Sequence, residues 1–329
     1  MMTATVPKLV LPAGRPLTIQ RVLAAGDCGA ARTAVGQRPA MPATFRHWLP
    51  AAARYAAGKY GRNLLPTLAY HTHRSDLPPA WRPFVADLRR DGIAMTSLEA
   101  LGCTNRTFRT LHTLQSLAAA VEFGQQDAIA SARQSPVRAR TLKDFIWKGL
   151  GDRPTYDLGS VWAALAHVFA PIATAYLGMH ARLRYYNLWR AFVTAGWGTA
   201  SQCWHRDPED CSLVKVFVYL TDVTPEAGPF WYVAGSHPQG RWAGEPAAYQ
   251  EPTGIHRTSN PQMRAWADES RWRCGTGPAG TVIIADTRGF HKGGLCRTTE
   301  RLLYTCTFTS LASTTREMFA EPTRIVCRA

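Results

Sequence analysis

Nowhere in its 329 residues does the chain carry a run of about 18 apolar residues, the length a bilayer-crossing helix needs, which argues against a transmembrane enzyme. Its eight cysteines are scattered, with no C-x-x-C pair and no apparent secretory leader ahead of them. A disulfide framework or zinc site is not the expectation; reduced thiols and a cytoplasmic location are. Acidic residues are scarce, 23 against 38 Lys+Arg, leaving a net charge of +15. That excess favours an anionic partner and says nothing about fold. No dense basic run of the kind used as a nucleic-acid arm is present; an acidic small substrate, a polyanion or an anionic surface fits the charge, as does a plain Arg bias on a solvated surface. Internal repeats and low-complexity tracts are absent too, which excludes a solenoid. The first 50 residues, rich in Ala and Pro with Asp27 as the single acid, have the charge balance of a transit peptide but lack that class's serine enrichment.

What is present divides in two. Residues 1–75 alternate short apolar stretches with Pro and Gly and read as an irregular, partly helical extension. The remainder, 76–329, reads as one domain. Trp81, Phe84, Val85 and Leu88 recur at helical spacing, and Gly92 supplies a stop, so a helix ends near Asp91. Thr107 to Gln125 and Ser160 to Leu177 are helical by period, the second with Val161, Leu165, Val168, Phe169, Ile172 and Tyr176 on one stripe. Strand patterns then take over at Leu183 to Phe192, Leu213 to Leu220, Pro229 to Val233, Thr281 to Asp286 and Leu302 to Thr309. Helices first and separate short strands after them indicate an α+β protein with a jelly-roll core buttressed by N-terminal helices. Between the strands, residues 237–280 form a long connection rich in Gly, Pro and polar residues. A segment of that length is expected to cover an active site, with Arg241, Trp242, His256, Arg257 and Arg271 among the residues able to clamp an anionic substrate.

In extended backbone, residues i and i+2 point the same way, so His205 and Asp207 of Trp-His-Arg-Asp can present an imidazole and a carboxylate to one point. A distant histidine would complete a 2-His-1-carboxylate facial triad, which leaves iron positions open. With ten histidines, chance alone supplies an H-x-D pattern on the order of a third of the time, so context must carry the reading. Downstream, Gly280 to His291 reads as a turn, a buried strand and a loop delivering a histidine. Ten residues on, Arg301 opens another strand, where a guanidinium can pair bidentately with a carboxylate. His237, in Ala-Gly-Ser-His, is the rival third ligand. It lacks a strand arginine about ten positions on, and reads better as a structural loop residue or substrate neighbour.

The ordered set W-H-R-D-P-E-D, L-V-K-V-F-V-Y-L-T-D-V, A-G-P-F-W-Y-V-A-G-S-H and D-T-R-G-F-H-K-G-G, followed by E-R, closely resembles the phytanoyl-CoA dioxygenase family from about Leu183 to Ser310. Residues Asp91 to Leu98 resemble that family's opening strand. The resemblance implies a double-stranded β-helix (cupin-like) fold and an oxygenase using iron(II), 2-oxoglutarate and dioxygen. It implies that His205, Asp207 and His291 ligate iron and that Arg301 binds the distal carboxylate of 2-oxoglutarate. Phe217 falls where the family sets an aromatic beside the cosubstrate, and Lys215 and Tyr219 share its face of the strand. Lys215 is read as a cosubstrate contact or as an exposed strand residue, Tyr219 as a substrate neighbour. Asn187 resembles a family amide that contacts 2-oxoglutarate, a structural hydrogen bond in the sheet being the alternative. Family members that halogenate replace the carboxylate by a small residue. Retention of Asp207 therefore favours hydroxylation of an unactivated C–H bond in an acidic or carrier-linked small molecule, while desaturation, ring formation and epimerisation, which use the same triad, stay open. Two other readings remain: a cupin-like metalloenzyme that does not use 2-oxoglutarate, against which Arg301 speaks, and a catalytically silent binding protein, against which the intact triad speaks.

Overall fold

The computed structural model describes residues 57, 61, 63–72, 76–102, 111–134, 146–157, 159–250, 256–313 and 318–320. Of the irregular extension, only its end falls in that set, where Leu64–Thr72 forms helix α1.

Helix α2 (Arg82–Asp91) buries Val85 and Leu88 and stops where the sequence says it should: Gly92 takes φ 77° and its N–H donates to the Leu88 carbonyl at 2.9 Å. Strand β1 (Ile93–Ser97) follows at once. The helical period from Thr107 is seen as α3 (Leu111–Phe123), residues 103–110 lying outside the described set, and α4 (Gln126–Gln134) comes next. Strand β2 (Ile146–Lys148) is a three-residue edge that periodicity does not reveal. Helix α5 (Val161–Leu177) begins with Ser160, whose Oγ accepts from Ala163 N at 3.1 Å, and ends at Gly178 with φ 66°. The expectation of a single buried stripe needs correcting here. Eleven of the helix's residues are buried, Trp162, Ala163 and Ala166 included, while Val161 and Val168 are only half-buried. A helix apolar nearly all round is one enclosed by its neighbours.

The remaining strands are β3 (Ala181–Ala191), β4 (Leu213–Tyr219), β5 (Phe230–Val233), β6 (Trp272–Gly275), β7 (Thr281–Ala285), β8 (His291–Gly293) and β9 (Arg301–Ser310). They form two antiparallel sheets, one ordered β1-β7-β4-β9-β3-β2 and one ordered β6-β5-β8. On β4, Val214, Val216 and Val218 face the helices, packing with Leu302, Tyr304 and Phe308 of β9 and Leu165 and Phe169 of α5. The alternate residues Phe217 and Tyr219 face the small sheet and meet Phe230 and Tyr232. Phe217 and Phe230 have ring centroids 4.8 Å apart. Two faced antiparallel sheets with helices outside the larger one make the jelly-roll core expected of the strand pattern.

The 237–280 connection differs from expectation. It contains helix α6 (Asn260–Trp266), started by a Ser259/Gln262 capping box, and strand β6, which pairs with β5. Trp231 and Val233 of β5, Trp204 and Phe290 pack with Met263 and Trp272 of this segment in a separate core. These residues alternate with Phe230, Tyr232, His205 and His291, so the packing is on the outer face of the small sheet. Most of the supposed cover is therefore a third layer behind the sheet. Lys292 and Trp204 fasten it, both donating to Asn260 Oδ1, at 2.7 and 2.8 Å.

Gly92 does more than end α2. A Cβ there would lie 2.6 Å from His237 Nδ1 and would overlap the Tyr232 hydroxyl. Gly92→Ala is expected to destabilise the protein by roughly 2 kcal/mol or more, combining the left-handed φ penalty with overpacking. Urea unfolding would measure it; an unchanged midpoint would show that α2 and the His237 turn are not packed as described.

Candidate metal centre and cosubstrate site

His205 and His291 are brought together by backbone pairing. Each donates its N–H to the other's carbonyl at 3.0 Å, and Asp207 N donates to the Thr287 carbonyl at 2.8 Å. Extended backbone then turns the His205 and Asp207 side chains to one side and Arg206 to the other. One donor atom from each of His205, Asp207 and His291 lies within 4.8 Å of the other two, the one such metal-binding group found among the described residues. Asp207 Oδ1 is 3.6 Å from His205 Nε2, and Oδ2 is 3.4 Å from His291 Nε2. Donors about 2.0–2.2 Å from one ion and at right angles sit about 3 Å apart, so only slight closure is needed.

The imidazoles are held ready to ligate. Their Nδ1 atoms lie 2.9 Å from the Cys203 carbonyl and 3.0 Å from the Gly289 carbonyl. Carbonyls accept only, so each Nδ1 carries the proton and each Nε2 lone pair is left facing the centre. Burial, and then the neighbouring His291, push the His205 pKa well below its ordinary value, favouring the neutral ligand form. Burial alone would raise Asp207, but Lys215 foremost, then His291, hold its carboxyl well below the usual range. Iron(II) fits this donor set.

Lys215 is not at the surface, and its contacts are not those of a cosubstrate ligand. Its Nζ is 2.6 Å from Asp207 Oδ2 and 3.1 Å from Glu209 Oε1, with only 9% of the side chain exposed. Glu209 also meets Arg184 at 3.4 Å. The Asp207 contact is a buried ion pair. Sequence reasoning missed Glu209 and Arg184, whose roles come from the fold bringing β3 beside the H-x-D loop.

At the other end of the same inner face stands Arg301, 7% exposed. Its Nη1 donates to the Gly228 carbonyl, and its Nε is buried with no hydrogen-bond partner among the described residues. A buried guanidinium with an unmet donor is suited to a carboxylate. The Thr305 hydroxyl, four residues along β9 on the same face and opposite Phe217, is likewise buried and unmet. Phe230 stacks on His291 with centroids 5.6 Å apart, closing the apolar wall between Arg301 and the triad.

The other expected contacts are otherwise employed. Asn187 does lie in the row of Thr305 and Phe217, but its Oδ1 accepts from Leu150 N at 3.1 Å and Leu188 N at 2.8 Å, and its Nδ2 donates to the Gly151 carbonyl at 2.7 Å. It fixes the turn after β2. The Tyr219 hydroxyl donates to the Gly275 carbonyl at 2.7 Å and accepts from Phe230 N at 3.2 Å, bridging the two sheets, and burial pushes its pKa up to about 12. His237 is fully buried behind the site, its Nε2 3.2 Å from the Arg89 carbonyl. Arg241 and Trp242 are exposed, with the Arg271 guanidinium 3.4 Å above the Trp242 ring. Among the described residues Cys211, Cys274, Cys296 and Cys306 are free thiols. Among the described residues no helix is long and apolar enough to cross a membrane.

Similarity to known proteins can now be set beside this geometry. Comparison with curated proteins returns no significant match. An iron-bound crystal structure of EctD from S. alaskensis is 17% identical, with TM-score 0.49, covering 76% of this chain and 85% of that one. The epimerase SnoN, in complex with Fe3+, alpha ketoglutarate and nogalamycin RO, is 18% identical with TM-score 0.47, covering 77% and 96%. Apo ThoJ, described as a non-heme monooxygenase, is 17% identical with TM-score 0.45, covering 75% and 84%. The decisive match is to the sequence profile of phytanoyl-CoA dioxygenase, which spans residues 17–301. The chain belongs to the phytanoyl-CoA dioxygenase family of iron- and 2-oxoglutarate-dependent oxygenases.

Proposed function

We propose that this protein hydroxylates an unactivated C–H bond of an anionic or carrier-linked small molecule, with His205, Asp207 and His291 as iron(II) ligands and Arg301 as the anchor of 2-oxoglutarate. Residues 76–329 would form the oxygenase domain. The observation that carries the reading is the convergence of the three donor side chains within 4.8 Å beside a buried arginine with an unmet donor. Bound iron(II) and 2-oxoglutarate supply the oxidising power, the cosubstrate losing carbon dioxide to become succinate as dioxygen is consumed.

The protein's own residues bind, orient and exclude water. The Cys203 and Gly289 carbonyls hold the imidazole tautomers. Lys215 balances the charge of Asp207 at Oδ2, leaving Oδ1 turned toward His205. Arg301 fixes the far carboxylate of the cosubstrate, and Phe217 and Phe230 keep the space between dry. The acid at position 207 supports hydroxylation over halogenation. The unmet Arg301 donor speaks against a cupin-like enzyme that does without 2-oxoglutarate.

The test is succinate release from 2-oxoglutarate by the iron(II)-loaded protein across carboxylated, phosphorylated and thioester-linked candidates. At least one should raise succinate formation well above the substrate-free rate, with a hydroxylated product of matching yield. A protein that binds iron(II) but never consumes 2-oxoglutarate would contradict the proposal.

A further inference from the structure

Three segments cross the metal face side by side. Trp204 and Thr258 exchange both backbone hydrogen bonds, at 3.0 and 2.9 Å, while the next residue, His205, exchanges both with His291 on the other side. In antiparallel pairing, a register of 204 with 258 sets residue 257 opposite residue 205, with both side chains on the same face. Directly opposite residues hold their Cβ atoms about 4.5–5.5 Å apart. Arg257, His205 and His291 thus form one lateral row, two proposed iron ligands with an arginine on their flank.

That arginine is positioned but not used up. Its Nε donates to the Ala200 carbonyl at 3.1 Å and its Nη1 to the His256 carbonyl at 2.7 Å. These two bonds fix the guanidinium plane and leave Nη2 without a partner among the described residues. The carboxylates near the row are already engaged: Asp207 with Lys215 at 2.6 Å and Glu245 with Arg206 at 2.9 Å. The turn that presents the Ala200 carbonyl is itself costly. Ala200 has φ 49°, the one positive φ outside glycine among the described residues, a region that disfavours a side chain. Strain of this kind persists where the surroundings impose it, and it gathers at ligand-holding loops. The charge is felt at the centre: after burial and His291, Arg257 is among the influences that lower His205.

We propose that Arg257 anchors an anionic group, a carboxylate or a phosphate, on the substrate itself, placing it beside the metal on the flank of His205 opposite β8. This rests on the oxygenase reading above and gives that reading a specificity residue. Two arginines would then sort two anions: Arg301 takes the cosubstrate between the sheets, and Arg257 takes the substrate at the rim. The remaining Nη2 donor, carrying the guanidinium charge, is suited to either oxyanion.

The experiment compares wild type with Arg257→Gln, Arg257→Ala and Arg257→Lys, each loaded with iron(II) and 2-oxoglutarate in the absence of oxygen. The visible charge-transfer band of the chelate reports cosubstrate binding. Titration with acetate and, separately, inorganic phosphate then reads anion binding as a perturbation of that band. All variants should form the band with 2-oxoglutarate affinity within about twofold of wild type. Arg257→Gln and Arg257→Ala should bind the preferred anion at least about tenfold more weakly, with Arg257→Lys between, and the stronger of the two titrations identifies the oxyanion. Glutamine keeps a donor for the Ala200 carbonyl, so it carries the test if the alanine variant misfolds. Equal anion binding in Arg257→Gln, or no perturbation by either anion in wild type, overturns the proposal. So does a large loss of 2-oxoglutarate affinity in Arg257→Gln, which would assign the arginine to the cosubstrate. A wild-type protein that forms no band at all would instead bring down the oxygenase reading, and this inference with it.

Discussion

Asp207→Asn and His291→Ala should each abolish turnover and weaken iron(II) binding by more than about 100-fold, because even outer partners of metal ligands cost 10–100-fold when removed. The two variants should differ in a second respect. His291→Ala removes a ring that Lys215 does not touch, whereas Asp207→Asn removes the charge that Lys215 faces at 2.6 Å. Lys215 would keep only Glu209, which it already shares with Arg184. Breaking a buried ion pair from one side typically costs about 3–5 kcal/mol. The metal-free Asp207→Asn protein should therefore unfold at clearly lower urea than metal-free His291→Ala. Lys215→Met on top of Asp207→Asn should recover part of that loss. His237→Ala is the control, since His237 sits behind the site against Arg89 and should leave iron affinity unchanged. Competition against a chromogenic chelator reads the affinities; iron lost through His237→Ala and kept through His291→Ala would reverse the ligand assignment.

The second large effect is expected at Arg301. Arg301→Ala should weaken 2-oxoglutarate binding by about 2–5 kcal/mol, tens to thousands of fold, as removal of one partner from a buried charge pair does. Arg301→Lys should recover only part of it, because an ammonium cannot reproduce the forked geometry. Arg301 also stitches the start of β9 to the Gly228 carbonyl. Some stability will be lost with it, so the measurement must separate the two. Anaerobic titration of the iron(II) protein with 2-oxoglutarate gives the affinity, and thermal unfolding without ligands gives the fold. A variant whose 2-oxoglutarate affinity is intact would place the cosubstrate elsewhere.

The parts of this structure that were legible in advance are those written in local pattern. Gly92 after two arginines, Ser160 before an apolar period, and the alternation of Val214, Val216 and Val218 with Lys215, Phe217 and Tyr219 each appear as the residues suggest. The Ser259/Gln262 capping box is also a local signal, masked by the Gly and Pro residues of the connection around it. What pattern could not supply is register between distant segments. Lys215 shares a face with Phe217 as expected, yet whether its ammonium meets a cosubstrate or Asp207 depends on where the H-x-D loop lies across β4. Asn187 likewise sits in the right row, but its amide is claimed by the turn after β2, an edge strand of three residues with too few positions to show a period. Arg257 was one basic residue among several in a long connection until the pairing of Trp204 with Thr258 set it beside His205. Membership in the family was readable because motif order and spacing survive in the chain itself.

Arg206 lies between the two ligand residues of the H-x-D loop and points away from them. Its guanidinium stacks on Phe290 at 4.2 Å and donates to Glu245 at 2.9 Å and to the carbonyls of Ser236 and Gly244, both at 2.8 Å. The short stretch proposed to hold the iron is thereby bolted from behind to the layer outside the small sheet. Insertions or deletions near residues 243–245 would pull on the same backbone that aims His205 and Asp207. A change of length in that outer layer should therefore be felt at His205 and Asp207, whereas exchange of a single side chain at the rim leaves their backbone anchored.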